Sequence, residues 1–322
     1  MNNKICTDVA LVFPGQGSQS LGMLAELAAN FPVVGRTFAE ASEVLGYDLW
    51  ERVQQGPIEL LNQTACTQPA MLAAGVATWR CWEQRTDRVP AMMAGHSLGE
   101  YTALVCAGAM DFRDAVGLVE KRGQYMQSAV PEGIGAMAAI LGLDDAAVQS
   151  ACAQAAGDEV VSAVNFNSPG QVVIAGHAAA VQRAMELAKQ AGARRALPLP
   201  VSVPSHCSLM KPAAEQFATQ LAATAMSPPT ITVLHNADVA SHSDPDVIRA
   251  ALAAQLYQPV RWVEIIRAMQ AAGIGCVVEA GPGKVLAGLN QRIDKTMTAV
   301  AVQTTADLEK ALGCCDAANQ VE

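Results

Sequence analysis

Residues 95–99 read Gly95-His96-Ser97-Leu98-Gly99, a G-x-S-x-G pentapeptide. It lies between the apolar run Val89–Ala94 and the proline-free segment Leu98–Met110, whose apolar residues recur at helical spacing. In a strand-turn-helix setting such a serine stands on a sharp bend with its hydroxyl above the sheet edge, and the flanking glycines admit close backbone. The chemistry this supports is nucleophilic acyl transfer, with the first amides of the helix, near Leu98, facing the developing oxyanion. The plain alternative is a turn serine that caps a helix.

A serine nucleophile needs a base, and the chain has five histidines. His96 is adjacent to Ser97, and neighbouring side chains diverge at a tight turn. His177 falls at an expected helix start and His242 in a polar loop, while His235 ends an apolar strand. His206, in Pro204-Ser205-His206-Cys207, has the best position for a base, because the chain there returns to the large unit from an inserted one. No carboxylate has the context of a triad acid, so a Ser–His dyad oriented by a backbone or amide oxygen is an option.

Pro14-Gly15-Gln16-Gly17-Ser18-Gln19 follows another apolar run, Val9–Phe13, and matches neither the dinucleotide fingerprint nor a phosphate loop. The backbone amide near Gln16 is either a second oxyanion donor or part of a connecting turn. Arg122 sits on an expected helix with Val116, Val119 and Met126. It is a solvated face residue or, pointing inward, a planar fork suited to a substrate carboxylate.

These residues need a scaffold. Val9–Phe13 and Val89–Ala94 read as buried parallel strands. Ile134–Leu141 strand, Asp144–Ala156 helix, Val160–Val164 and Gln171–Ala175 strands about the turn Asn167-Ser168-Pro169-Gly170, Ala178–Gln190 helix and Arg195–Val201 strand give the β-α-β-β-α-β order of a ferredoxin-like unit. Alternation resumes with helices 212–225, 246–256, 260–270 and 284–292 and strands 230–236 and 276–279. The fold class is α/β: a large domain with a parallel sheet over 1–133 and 204–322, carrying an inserted ferredoxin-like small domain over 134–203. The tail beyond about Ala306 is expected to be peripheral.

The chain has 322 residues, 51% hydrophobic and 16% charged, with net charge −9. That balance argues for a large apolar core and against a disordered chain or a nucleic-acid binder. No apolar stretch is long enough to span a membrane, and the run after Lys4 and Asp8 is too short for a signal-peptide core. Nine scattered cysteines without a C-x-x-C pair read as reduced thiols of a cytoplasmic protein, with no metal site.

PGQGSQ, AGHSLGEY, the Lys121-Arg122-Gly123 triplet, NFNSPGQVVIAG, VPSHC, QLYQPVRW and EAGPGKVL stand in one order along nearly the whole chain. In this it resembles the malonyl-CoA:acyl carrier protein transacylases of dissociated fatty acid synthesis, whose fold is a hydrolase-like α/β domain with a ferredoxin-like insertion. The resemblance implies Ser97 as nucleophile, His206 as base, Gln16 and Leu98 amides as oxyanion hole, and Arg122 as partner of the malonyl carboxylate. It implies that Gln255 orients the histidine through its main-chain carbonyl, and that Gln68 and Asn167 line the pocket. His235 departs from the asparagine frequent there in related sequences.

The implied reaction is a ping-pong transfer from malonyl-CoA to the phosphopantetheine thiol of an acyl carrier protein. It releases coenzyme A and uses neither cofactor nor metal; the enzyme is expected to be a monomer. The alternatives are a serine thioesterase or other hydrolase, a polyketide-pathway malonyltransferase, and a non-enzymatic acyl-CoA-binding protein. Docking an acidic carrier on an acidic protein needs a local basic patch, for which Lys189, Arg194, Arg195, Lys211, Lys284 and Lys295 are candidates.

Overall fold

The computed structural model describes residues 4–131, 133–201 and 203–317. Its strands are β1 (Lys4–Phe13), β2 (Arg88–Gly95), β3 (Gly135–Leu141), β4 (Val161–Ser168), β5 (Gln171–His177), β6 (Arg195–Pro198), β7 (Thr232–Leu234), β8 (Cys276–Ala280) and β9 (Thr298–Val302). Five of them form a parallel sheet in the order β7-β2-β1-β8-β9.

The unbroken apolar run at the end of β1 follows from burial on both sheet faces. Val9, Leu11 and Phe13 pack with the helix Thr64–Glu83, while Ala10 and Val12 pack on the other face with Trp262, Ile265 and Ile266 of the helix Trp262–Ala271. Phe13 pairs with Gly95 in the β1–β2 ladder, so the loops that follow these two strands leave the sheet side by side.

The other four strands form an antiparallel sheet in the order β4-β5-β3-β6, with helices Asp145–Ala156 and Ala178–Gln190 in its apolar cluster. Order and connections are those of a ferredoxin-like unit. The Asp144 carboxylate accepts from the Ala147 amide, which fixes the start of the first helix. The small sheet meets the large unit at the segment before helix Trp262–Ala271, where the Phe166 amide donates to Val260 O (3.0 Å) and the Val260 amide to Val164 O (2.8 Å).

Three expectations need correction. The helix after Gly95 is Gly99–Cys106, shorter than 98–110, because Gly108 turns the chain with φ 73°. The segment after Ala306 is not peripheral as far as it is described: helix Thr305–Ala317 buries Leu308 and Ala311 fully. Residues 318–322 of that segment lie outside the described residues. Nor are all nine cysteines thiols, since Cys6 of β1 and Cys315 of the last helix form a disulfide that ties this helix to the sheet. Among the described residues the other seven are free, and no helix is long and apolar enough to cross a membrane.

Candidate active site

The Ser97 bend is built by steric demand. A Cβ at Gly95 would lie 1.8 Å from the Gly99 carbonyl carbon, and one at Gly99 would lie 2.0 Å from Phe13 O, so only glycine fits either position. Between them Ser97 adopts φ 52°, a left-handed conformation that a side chain disfavours and that surrounding contacts must hold. Asn236 supplies such contacts: its Oδ1 accepts from the Ser97 amide (2.7 Å), and its Nδ2 donates to Gly95 O (2.7 Å).

His206, also at positive φ (65°), is buried and is fixed by its amide, which donates to Leu256 O. Its Nδ1–H donates to the main-chain oxygen of Gln255 (2.7 Å), which leaves the Nε2 lone pair for the Ser97 hydroxyl at 2.8 Å. The oriented dyad is thus completed by a backbone carbonyl rather than a carboxylate. Burial first, and then the nearby Arg122 charge, push the imidazole down to about 3, so the resting base is neutral.

Arg122 points inward from the helix Phe112–Ser128 and is 1% exposed. Its Nη1 donates to Gln68 Oε1 (2.9 Å), and its Nη2 donates to Gln255 Oε1 (2.8 Å) and lies 3.4 Å from Ser97 Oγ. Its Nε has no partner, and no carboxylate forms an ion pair with it among the described residues. A buried cation is stable only if compensated, so this arrangement suits an anionic ligand next to the serine.

Leu98 precedes the helix Gly99–Cys106 and Gln16 follows β1; among the described residues neither amide donates to another protein group. The Gln16 side chain reaches Thr64 Oγ1 (3.4 Å). Asn167 Oδ1 lies 2.8 Å from His96 Nε2, and the His96 ring leans on Trp262, so His96 faces away from a role as base.

The remaining histidines have local partners. His177 Nδ1 accepts from the Val160 amide, His242 pairs with Asp238, and His235, fully buried, donates from Nδ1 to Glu100. Sequence reasoning missed Asn236 and Glu100. The signal for Asn236 is strand register: Ala94 of β2 faces Leu234 of β7, so the residues just beyond both strands are neighbours.

Comparison with known proteins gives the family. The acyl transferase domain family matches residues 10–310. The malonyl CoA-acyl carrier protein transacylase of Escherichia coli is 60% identical over 306 residues, 95% of this chain and 99% of that protein. An acyl carrier protein S-malonyltransferase from Vibrio cholerae, solved as a crystal structure, superposes with TM-score 0.93 at 61% identity, covering 94% of this chain and 99% of that one. A malonyl-transacylase solved in complex with a type II PKS acyl-carrier protein superposes with TM-score 0.94 at 57% identity, covering 95% and 99%. The chain belongs to the acyl transferase family, among the malonyl CoA-acyl carrier protein transacylases.

Proposed function

We propose that this chain transfers a malonyl group from coenzyme A to the phosphopantetheine thiol of an acyl carrier protein, through a malonyl ester on Ser97. The observation that carries this reading is the buried Arg122 guanidinium, 3.4 Å from the Ser97 hydroxyl and without a carboxylate partner among the described residues. A simple acetyl group offers nothing to such a cation; an acid-bearing acyl group does.

The steps follow from the geometry. His206 Nε2 takes the Ser97 proton as Oγ attacks the thioester carbonyl, and the Gln16 and Leu98 amides stabilise the oxyanion. The C–S bond breaks, the sulfur takes the proton from His206, and coenzyme A leaves. The phosphopantetheine thiol then gives its proton to His206 and attacks the ester; Ser97 Oγ recovers the proton as the malonyl thioester departs. When the malonyl carboxylate meets Arg122, part of the charge that depresses His206 is cancelled, so the base strengthens as the acidic substrate binds.

In this reading 1–133 and 204–322 form the catalytic unit, and the inserted unit 134–203 contributes Asn167 to its edge. All six basic candidates for carrier docking, Lys189, Arg194, Arg195, Lys211, Lys284 and Lys295, are exposed. The reaction belongs in the cytoplasm, where both thiol carriers are used.

Mass spectrometry after brief exposure to malonyl-CoA without an acceptor tests the reading. The expected result is a malonyl adduct on the Ser97 peptide that persists until a phosphopantetheine thiol is added. Rapid loss to water would favour a thioesterase, and an adduct elsewhere would overturn the assignment.

The pH dependence is a second check. A base acts only above its own pKa, and that of His206 lies far below the ordinary imidazole value of about 6.5. The kcat/KM for acylation is therefore expected to pass through the region around pH 6.5 without a step. A drop centred there would show that the free enzyme's base has an ordinary pKa.

A further inference from the structure

Glu100 lies three residues after the nucleophile, in the first turn of Gly99–Cys106, and is fully buried. Three donors converge on its carboxylate. His235 Nδ1 reaches Oε1 at 2.7 Å, while the Asn236 amide and Gln255 Nε2 both reach Oε2 at 2.9 Å. The same Gln255 nitrogen donates to Ser97 O (2.8 Å), the Gln255 Oε1 accepts from Arg122, and the Gln255 main-chain oxygen accepts from His206. One glutamine thus touches the nucleophile's backbone, the base and the buried cation.

An amide has one end that donates and one that accepts. The donating end of Gln255 is held by two acceptors, Glu100 Oε2 and Ser97 O, and this turns the accepting end to Arg122. Were the amide reversed, its nitrogen would face the guanidinium, donor against donor, and the Arg122 fork would lose one of the two glutamines that aim it.

We propose that Glu100 is a positioning residue which, held by His235 and Asn236, orients the Gln255 amide and so sets Arg122 for an acidic acyl group. This deepens the malonyl-transfer reading and rests on it. The inward carboxylate does not enter the chemistry; it acts on acyl selectivity through one hydrogen bond to a side-chain amide. The imidazole of His235 serves by clamping the far oxygen of Glu100, a task for which any donor at that position suffices.

The test measures the rates at which malonyl-CoA and acetyl-CoA acylate Ser97 in the same full-length protein. Their ratio does not depend on how much of a preparation is folded. Glu100→Leu, which keeps bulk but accepts nothing, is expected to lower the malonyl-to-acetyl ratio by about 10- to 100-fold, the worth of a hydrogen bond to a charged group. Glu100→Gln is expected to recover most of that ratio. Its oxygen still accepts from Gln255, and the His235 proton can move to the unpartnered Nε2 so that Nδ1 accepts from the new amide.

If Glu100→Leu yields no folded protein, Glu100→Asp serves. It withdraws the oxygen by one methylene and is expected to shift the ratio the same way by a smaller factor. A parallel fall of both rates, an unchanged ratio in the folded Leu or Asp variant, or a Gln variant as impaired as Leu would overturn the positioning role. A wild-type chain that takes no malonyl onto Ser97 would overturn the transfer reading itself, whereas a labelled wild type with an unchanged ratio in the variants sinks this inference alone.

Discussion

Replacing Ser97 by alanine is expected to lower malonyl transfer by about 10⁴-fold or more, with the fold intact. The hydroxyl lies 2.8 Å from the only histidine oriented toward it, and His96 is engaged with Asn167 instead. No other described residue combines a nucleophilic oxygen, a neutral buried base and a backbone bend held by a side chain. Alanine meets the same φ of 52° as serine, so the backbone strain is unchanged and Asn236 still holds the bend. What is lost is the Oγ partner of His206 Nε2, a cost of about 1–3 kcal/mol if nothing replaces it. The variant should therefore melt within about five degrees of the wild type and still bind malonyl-CoA. Intact-mass measurement should find no acyl adduct; an adduct at wild-type level would remove Ser97 from the mechanism.

The parts of this site legible in the sequence are those set by local backbone. The G-x-S-x-G pentapeptide declares its own bend, because two glycines separated by three residues satisfy contacts of 2.0 Å or less that no other residue could. Helix Ala178–Gln190 matches its expected bounds because its apolar residues hold a regular period against one sheet face. Hydrogen bonds between distant elements are different. Asn236 meets Ser97 across 139 positions and Gln255 meets Glu100 across 155, and neither residue carries a mark in its own neighbourhood.

The role of Gln255 follows only from the family resemblance, since a main-chain oxygen leaves no trace in residue type. Likewise Arg122 is ambiguous on its helix until the fold shows which face is buried. Strand β9 and the last helix are hidden in the sequence for a related reason. The place of Thr298–Val302 beside β8 is a matter of sheet order. The Cys6–Cys315 bond joins residues 309 apart, and no spacing rule reaches that far.

Arg122→Ala is expected to cut malonyl acylation by about 10²–10³-fold while acetyl acylation holds or rises, which inverts the enzyme's preference. In the complex the guanidinium and the malonyl carboxylate form a desolvated pair, and removing one partner of such a pair typically costs about 3–5 kcal/mol. In the free protein the balance is different. Among the described residues Arg122 has no acidic partner, so its loss relieves a desolvation cost while leaving Gln68 and Gln255 each short of one donor. These effects oppose each other, and the melting temperature should move little. The charge also depresses His206; without it the imidazole becomes more basic, and this favours attack on a neutral acyl group. Two consequences can be read from one set of rate measurements: the malonyl-to-acetyl ratio falls, and the acid limb of acetyl acylation moves to higher pH. An equal loss for both substrates with no movement of that limb would mean that the arginine merely supports the fold, and the case for an acidic acyl group would lose its physical basis.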